Sequence, residues 1–151
     1  MNSWEIERVR RHTSPVVNAR IDRRTAAAIL AYAGKSEAAI TVRLDELERE
    51  WDIERVLQTN AATLALASLA LGVRANRRWL ALTGGVLGFL LWHGVRGWCP
   101  PLPFLRQLGV RTRTEIDRER FALKFLRGDF EFARLPTGEI NLAALVRAVG
   151  I

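Results

Sequence analysis

Val56-Leu-Gln-Thr-Asn-Ala-Ala-Thr-Leu-Ala-Leu-Ala-Ser-Leu-Ala-Leu-Gly-Val73 runs for 18 residues without a charged side chain. After Arg74-Ala-Asn-Arg-Arg78 the stretch Trp79-Leu-Ala-Leu-Thr-Gly-Gly-Val-Leu-Gly-Phe-Leu-Leu-Trp-His-Gly-Val95 adds 17 more. At ~1.5 Å per helical residue each reaches roughly 27 Å, close to the hydrocarbon thickness of a bilayer. Two such stretches joined by five residues outline an all-α chain built on a two-helix transmembrane hairpin, with spans at about 56–73 and 78–97. Leucines point in several directions around both. A helix that is apolar all round is buried by lipid or by a large core, and 151 residues are too few to supply such a core.

Working outward, residues 1–51 read as an amphipathic helical region, 52–99 as the hairpin and 100–151 as a proline turn with an amphipathic helical tail. Ser3 is a plausible first cap, and Ser14-Pro15 opens a helix that Gly34 stops. Ser36 caps a second, with Ile40, Leu44, Leu47 and Trp51 on one face. Asp52 caps the first apolar helix. The second ends by Cys99, because Pro100, Pro101 and Pro103 cannot continue it. Thr112-Arg-Thr-Glu115 fits a capping box, and the helix it opens carries Ile116, Phe121, Phe125 and Leu126 as far as Gly128. Leu142, Leu145, Val146 and Val149 continue at helical spacing near the end.

Small residues mark the packing faces. Ala61, Ala65, Ser68 and Gly72 form a stripe on the first span, and Ala81, Gly84 and Gly88 one on the second. Between helices in lipid, close backbone approach supplies contact energy, so these stripes suit pairing within the hairpin or a homodimer. Trp79 and Trp98, with Arg74, Arg78 and Arg96, are placed as interfacial anchors. Basic residues number three in the loop and seven beside the other ends, which puts both termini in the cytoplasm.

The net charge is +7, and 21 of the 23 basic residues are Arg. The charge is scattered rather than gathered on one face, so the expected polyanion is a bilayer surface and no nucleic acid is expected. The N-terminus lacks a basic region followed by an apolar run, so it does not read as a signal peptide. Cys99 is the single cysteine, which excludes a disulfide framework and a multi-thiolate zinc site. No metal, cofactor or small-molecule substrate is implied. His93 lies six residues before Cys99, roughly 240° around a helix, which separates the two. Asp117, Glu119 and Asp129 read as solvated charges.

Gly94-Val-Arg-Gly-Trp-Cys-Pro100, closing a short two-helix hairpin, resembles the YgaP-type transmembrane domain, a bacterial inner-membrane family of unknown function. Its members typically end the second helix in a Gly-aromatic-Cys-Pro signature, and some carry a rhodanese domain ahead of the hairpin. The resemblance covers roughly residues 52–105 and implies an inner-membrane hairpin that self-associates. No upstream catalytic cysteine loop is present, so sulfur transfer does not carry over. The expected role is structural: assembly or anchoring within a membrane complex. The alternatives are a sulfur-relay or redox protein using Cys99 as its thiol and, more weakly, a soluble basic nucleic-acid-binding protein.

Overall fold

A computed structural model of the chain describes residues 8–130. Ser3 and the terminal Leu142–Val149 pattern lie outside these residues. All the regular structure described is helical: α1 (Pro15–Tyr32), α2 (Glu37–Arg49), α3 (Ile53–Arg74), α4 (Trp79–Arg96), α5 (Leu102–Gln107) and α6 (Arg113–Arg127), after a helical turn at 8–11.

The boundaries follow from local chemistry. Ser36 Oγ accepts from Ala39 N at 3.4 Å and Asp52 Oδ1 from Arg55 N at 2.8 Å, which satisfies orphan donors at the starts of α2 and α3. The capping box of α6 closes in both directions: Thr112 N donates to Glu115 Oε2 at 2.9 Å and Glu115 N to Thr112 Oγ1 at 3.3 Å. Gly97 (φ 73) ends α4 and Gly128 (φ 85) follows α6, both in the left-handed region that suits glycine. Beyond Pro100 and Pro101 the chain re-enters a short helix, α5, because Pro103 falls in its first turn, where no amide donor is needed.

The chain divides into two compact units. One comprises Met1–Arg23 and Trp51–Ile116. Here α3 packs along α4, and a small core of Val9, Ile53, Leu57, Cys99 and Leu102 sits where the hairpin meets the flanking chain. The other comprises Arg24–Glu50 and Asp117–Ile151. Its α2 buries Ile40, Leu44 and Leu47 at the expected spacing, and α6 buries Leu123.

Two expectations need correction. Trp51 lies past the end of α2, is 46% exposed and sits under the Arg55 guanidinium at 4.5 Å. Glu119 is buried, and its Oε1 accepts from Arg43 Nε at 2.9 Å and Nη2 at 2.8 Å, tying α6 to α2. Burial tends to lower the Arg43 pKa, but Glu46 and Glu119 outweigh it and the group stays above its ordinary value.

Candidate functional site

The hairpin seam is built from the small residues of α3. Ala65, Ser68 and Gly72 are buried and Ala61 is half-buried. Ser68 Oγ meets Thr83 Oγ1 at 2.7 Å across the seam. A methyl on Gly72 would lie 2.5 Å from Leu80 Cδ2, so the backbones approach there because Gly72 has no side chain. The stripe on α4 has a different position. Ala81, Gly84 and Gly88 are exposed, and a methyl on Gly84 or Gly88 would meet nothing within 4 Å. The structure therefore joins the first stripe to Leu80 and Thr83 and leaves the Gly84/Gly88 face open. Trp79, Trp98, Arg74, Arg78 and Arg96 all lie on the surface, and Arg96 stacks over Trp92 at 5.4 Å.

Where α4 ends, Arg8 and Glu54 come in from distant parts of the chain. Gly97 turns left-handed, and a side chain there would collide with Arg8, whose Cβ would lie 2.6 Å away. Arg8 Nη1 in turn donates to the carbonyls of Gly94 and Val95, both at 3.1 Å, answering the orphan acceptors of the helix end. The turn folds the chain back so that buried Cys99 comes beside His93. This corrects the helical-wheel expectation that kept them apart, because the helix stops at Arg96 and the wheel no longer applies. His93 is only 5% exposed, and its Nε2 bonds Glu54 Oε2 at 2.9 Å. Glu54 was not legible as a partner from spacing, since it lies in the first turn of α3 and 39 residues away. His93 Nδ1 is buried, and the Cys99 thiol lies beside the ring.

The imidazole separates two clefts. One, of about 470 Å³, is almost wholly apolar and is lined by Leu57, Leu64, Val86 and Phe89, with Cys99 and Pro100 at its end. The other, of about 320 Å³, is more polar, with Arg8, Glu54, Gln58 and Arg113 among its lining. His93 belongs to both. Among the described residues no three His, Cys, Asp or Glu side chains come together to hold a metal ion.

Beneath the hairpin lies a cluster of buried charge. Arg106 is fully buried. It reaches Glu115 through Nη1 at 2.7 Å and Nη2 at 2.8 Å, Asn18 Oδ1 at 2.9 Å, Val110 O at 3.0 Å and Thr13 Oγ1 at 3.2 Å. All five guanidinium donors are thus matched. Glu115 also accepts from Arg10, which holds Asp22 at 2.7 Å. Burial alone would raise the Glu115 pKa, but Arg106, the Thr112 amide and Arg10 together hold it below the usual carboxylate range. Arg106 looked like one more cytoplasmic charge in the sequence, and the capping box was the only sign that Glu115 is special.

Comparison with protein-family models, with curated proteins and with solved structures finds no match for this chain.

Proposed function

We propose that this is a small bacterial inner-membrane protein in which α3 and α4 cross the bilayer as a hairpin, both termini lie in the cytoplasm, and the role is structural: assembly or anchoring of a membrane complex. One observation carries the reading. The apolar window within Glu37–Arg74, long and apolar enough to cross a membrane, is only 22% buried inside the protein. Leu64, Leu66, Leu69 and Leu71 on α3 and Leu82, Leu87, Phe89 and Leu91 on α4 are all more than 40% exposed. Left in water, such a surface would exceed the apolar patches that soluble monomers tolerate.

The buried charge cluster supports two crossings rather than one. Arg106 and Glu115, after the hairpin, bond Thr13, Asn18 and Arg10, before it. A single crossing between residues 22 and 106 would put a bilayer between these partners. The Cys-Pro turn keeps the resemblance to YgaP-type hairpins within this proposal, and the open Gly84/Gly88 face suits a second copy or another membrane helix. Cys99 is 4% exposed and shut into the core at the hairpin end, which favours a packing role over an open thiol.

Membranes washed with alkaline carbonate should retain the chain, and reporter fusions at both termini should be active only in the cytoplasm. Release by carbonate would remove the membrane reading, and opposite reporter signals the two-crossing reading. Extraction in mild detergent should bring down a defined complex; a lone monomer would count against the assembly role.

A further inference from the structure

Beside the end of α4 lies a cleft of about 540 Å³, distinct from the two at His93. Its walls are Arg8, Arg11 and His12 from the N-terminal turn, and Trp92, Arg96 and Trp98 from the end of α4. The described residues that line it include three guanidiniums and no carboxylate. The local chain explains why the charges face outward. Val9 and Thr13, one turn apart, are both buried, and Thr13 Oγ1 donates to Val9 O at 2.7 Å. Arg11 and His12, between them, are therefore exposed. Arg8 clamps this turn to the helix through the carbonyls of Gly94 and Val95, and exposed Arg96 lies over the Trp92 ring at 5.4 Å. Cations scattered in the sequence are thus gathered at one spot by fixed contacts. The cleft also has an apolar exit: Val95 lines it, and Leu91, one turn further into the helix, is exposed as well.

We propose, on the membrane placement argued above, that this cleft binds the phosphate of an anionic phospholipid of the cytoplasmic leaflet. Arg11 and Arg96 are its cationic partners, and its acyl chains lie along Val95 and Leu91. With both termini in the cytoplasm, the end of α4 meets that leaflet at the level of its head groups, where anionic lipid is present. Guanidinium forks match phosphate oxygens, and indoles suit the same depth because one end is apolar and the other wet. A zwitterionic head group would bring its own ammonium into a site already rich in cations. A soluble phosphate ester would leave the apolar exit unused.

The test uses the full chain in mild detergent, titrated with phosphatidylglycerol or phosphatidylethanolamine, with native mass spectrometry counting the lipids retained. One phosphatidylglycerol per chain should be kept, roughly tenfold more tightly than phosphatidylethanolamine. Arg11→Gln and Arg96→Gln should each weaken it about fivefold, the worth of one arginine at an anionic surface, and the double variant about 25-fold, all with the wild-type helical spectrum. Arg77→Gln removes the same charge from the loop at the other end of the hairpin and should leave retention unchanged. Equal retention of both lipids, or as large a loss from Arg77→Gln as from Arg11→Gln, would overturn the site and leave the membrane reading standing. So would release of phosphatidylglycerol by millimolar glycerol phosphate or by a single-stranded oligonucleotide, either of which would give the cleft to a soluble anion. Release of the chain from membranes by carbonate would instead remove the membrane reading, and this site with it.

Discussion

Replacing Glu115 by Leu removes the only carboxylate among the described residues that bonds Arg106, whose guanidinium is fully buried. The remaining partners of Arg106, namely Asn18, Val110 O and Thr13, are neutral and leave a charge without a counter-ion. Breaking one side of such a pair costs about 3–5 kcal/mol, and loss of the Thr112 cap adds roughly 1 kcal/mol. Arg106→Met should cost less, because Glu115 keeps Arg10 and the Thr112 amide. The double variant Arg106→Met with Glu115→Leu should recover most of the loss, since a buried ion pair is often replaceable by apolar groups. Arg10 is not stranded in it, because Asp22 remains. For a chain of this length the Glu115→Leu loss should lower the apparent melting temperature by on the order of 10 °C, read by circular dichroism of the detergent-solubilised chain. Two results would refute the reasoning: a Glu115→Leu transition within about 2 °C of wild type, or a double variant less stable than Glu115→Leu alone.

The Glu115 carboxyl is held below its ordinary value of 4.5, and Asp129 beside Arg127 is also lowered. The unfolded chain therefore binds more protons, and this stability is complete above the unfolded value and lost as pH falls through the folded one. Melting temperatures measured from about pH 6 down to about pH 3 should fall below roughly pH 4.5, and less steeply in Arg106→Met; a rise on acidification would contradict this. Gly97→Ala forces a side chain into φ 73 and against Arg8, and should cost about 1–3 kcal/mol in the same melting assay. Wild-type stability there would show that the turn can reshape. Gly88→Leu meets open space within the chain and should leave the fold within about 0.5 kcal/mol of wild type; under the proposal that this open face docks a second copy, it should also lower the yield of cross-linked dimer in mild detergent. Undiminished dimer would remove the stripe from the contact.

What the sequence disclosed was local. The caps at Ser36, Asp52 and Thr112, the stop at Gly128 and the buried face of Ile40, Leu44 and Leu47 each depend on neighbours within a turn or two, and all are present. Hidden were the pairings that join distant segments. Glu54 with His93, Arg43 with Glu119 and Arg106 with Asn18 are separated by 39, 76 and 88 residues, and a charge on a helix looks the same whether it faces water or a buried partner. The stripes show the same limit: small residues mark where close approach is allowed, yet only the α3 stripe is used within the hairpin, where Gly72 admits Leu80. Cys99 beside His93 required knowing that Gly97 reverses the chain.

The partners of Arg106 fix an order of events during synthesis. Asn18 emerges from the ribosome 88 residues ahead of Arg106, and both apolar helices are made in between. Before Arg106 and Glu115 are made, Arg10 already has Asp22 within the same N-terminal stretch. Closure around Glu115 therefore waits until both apolar helices have been made.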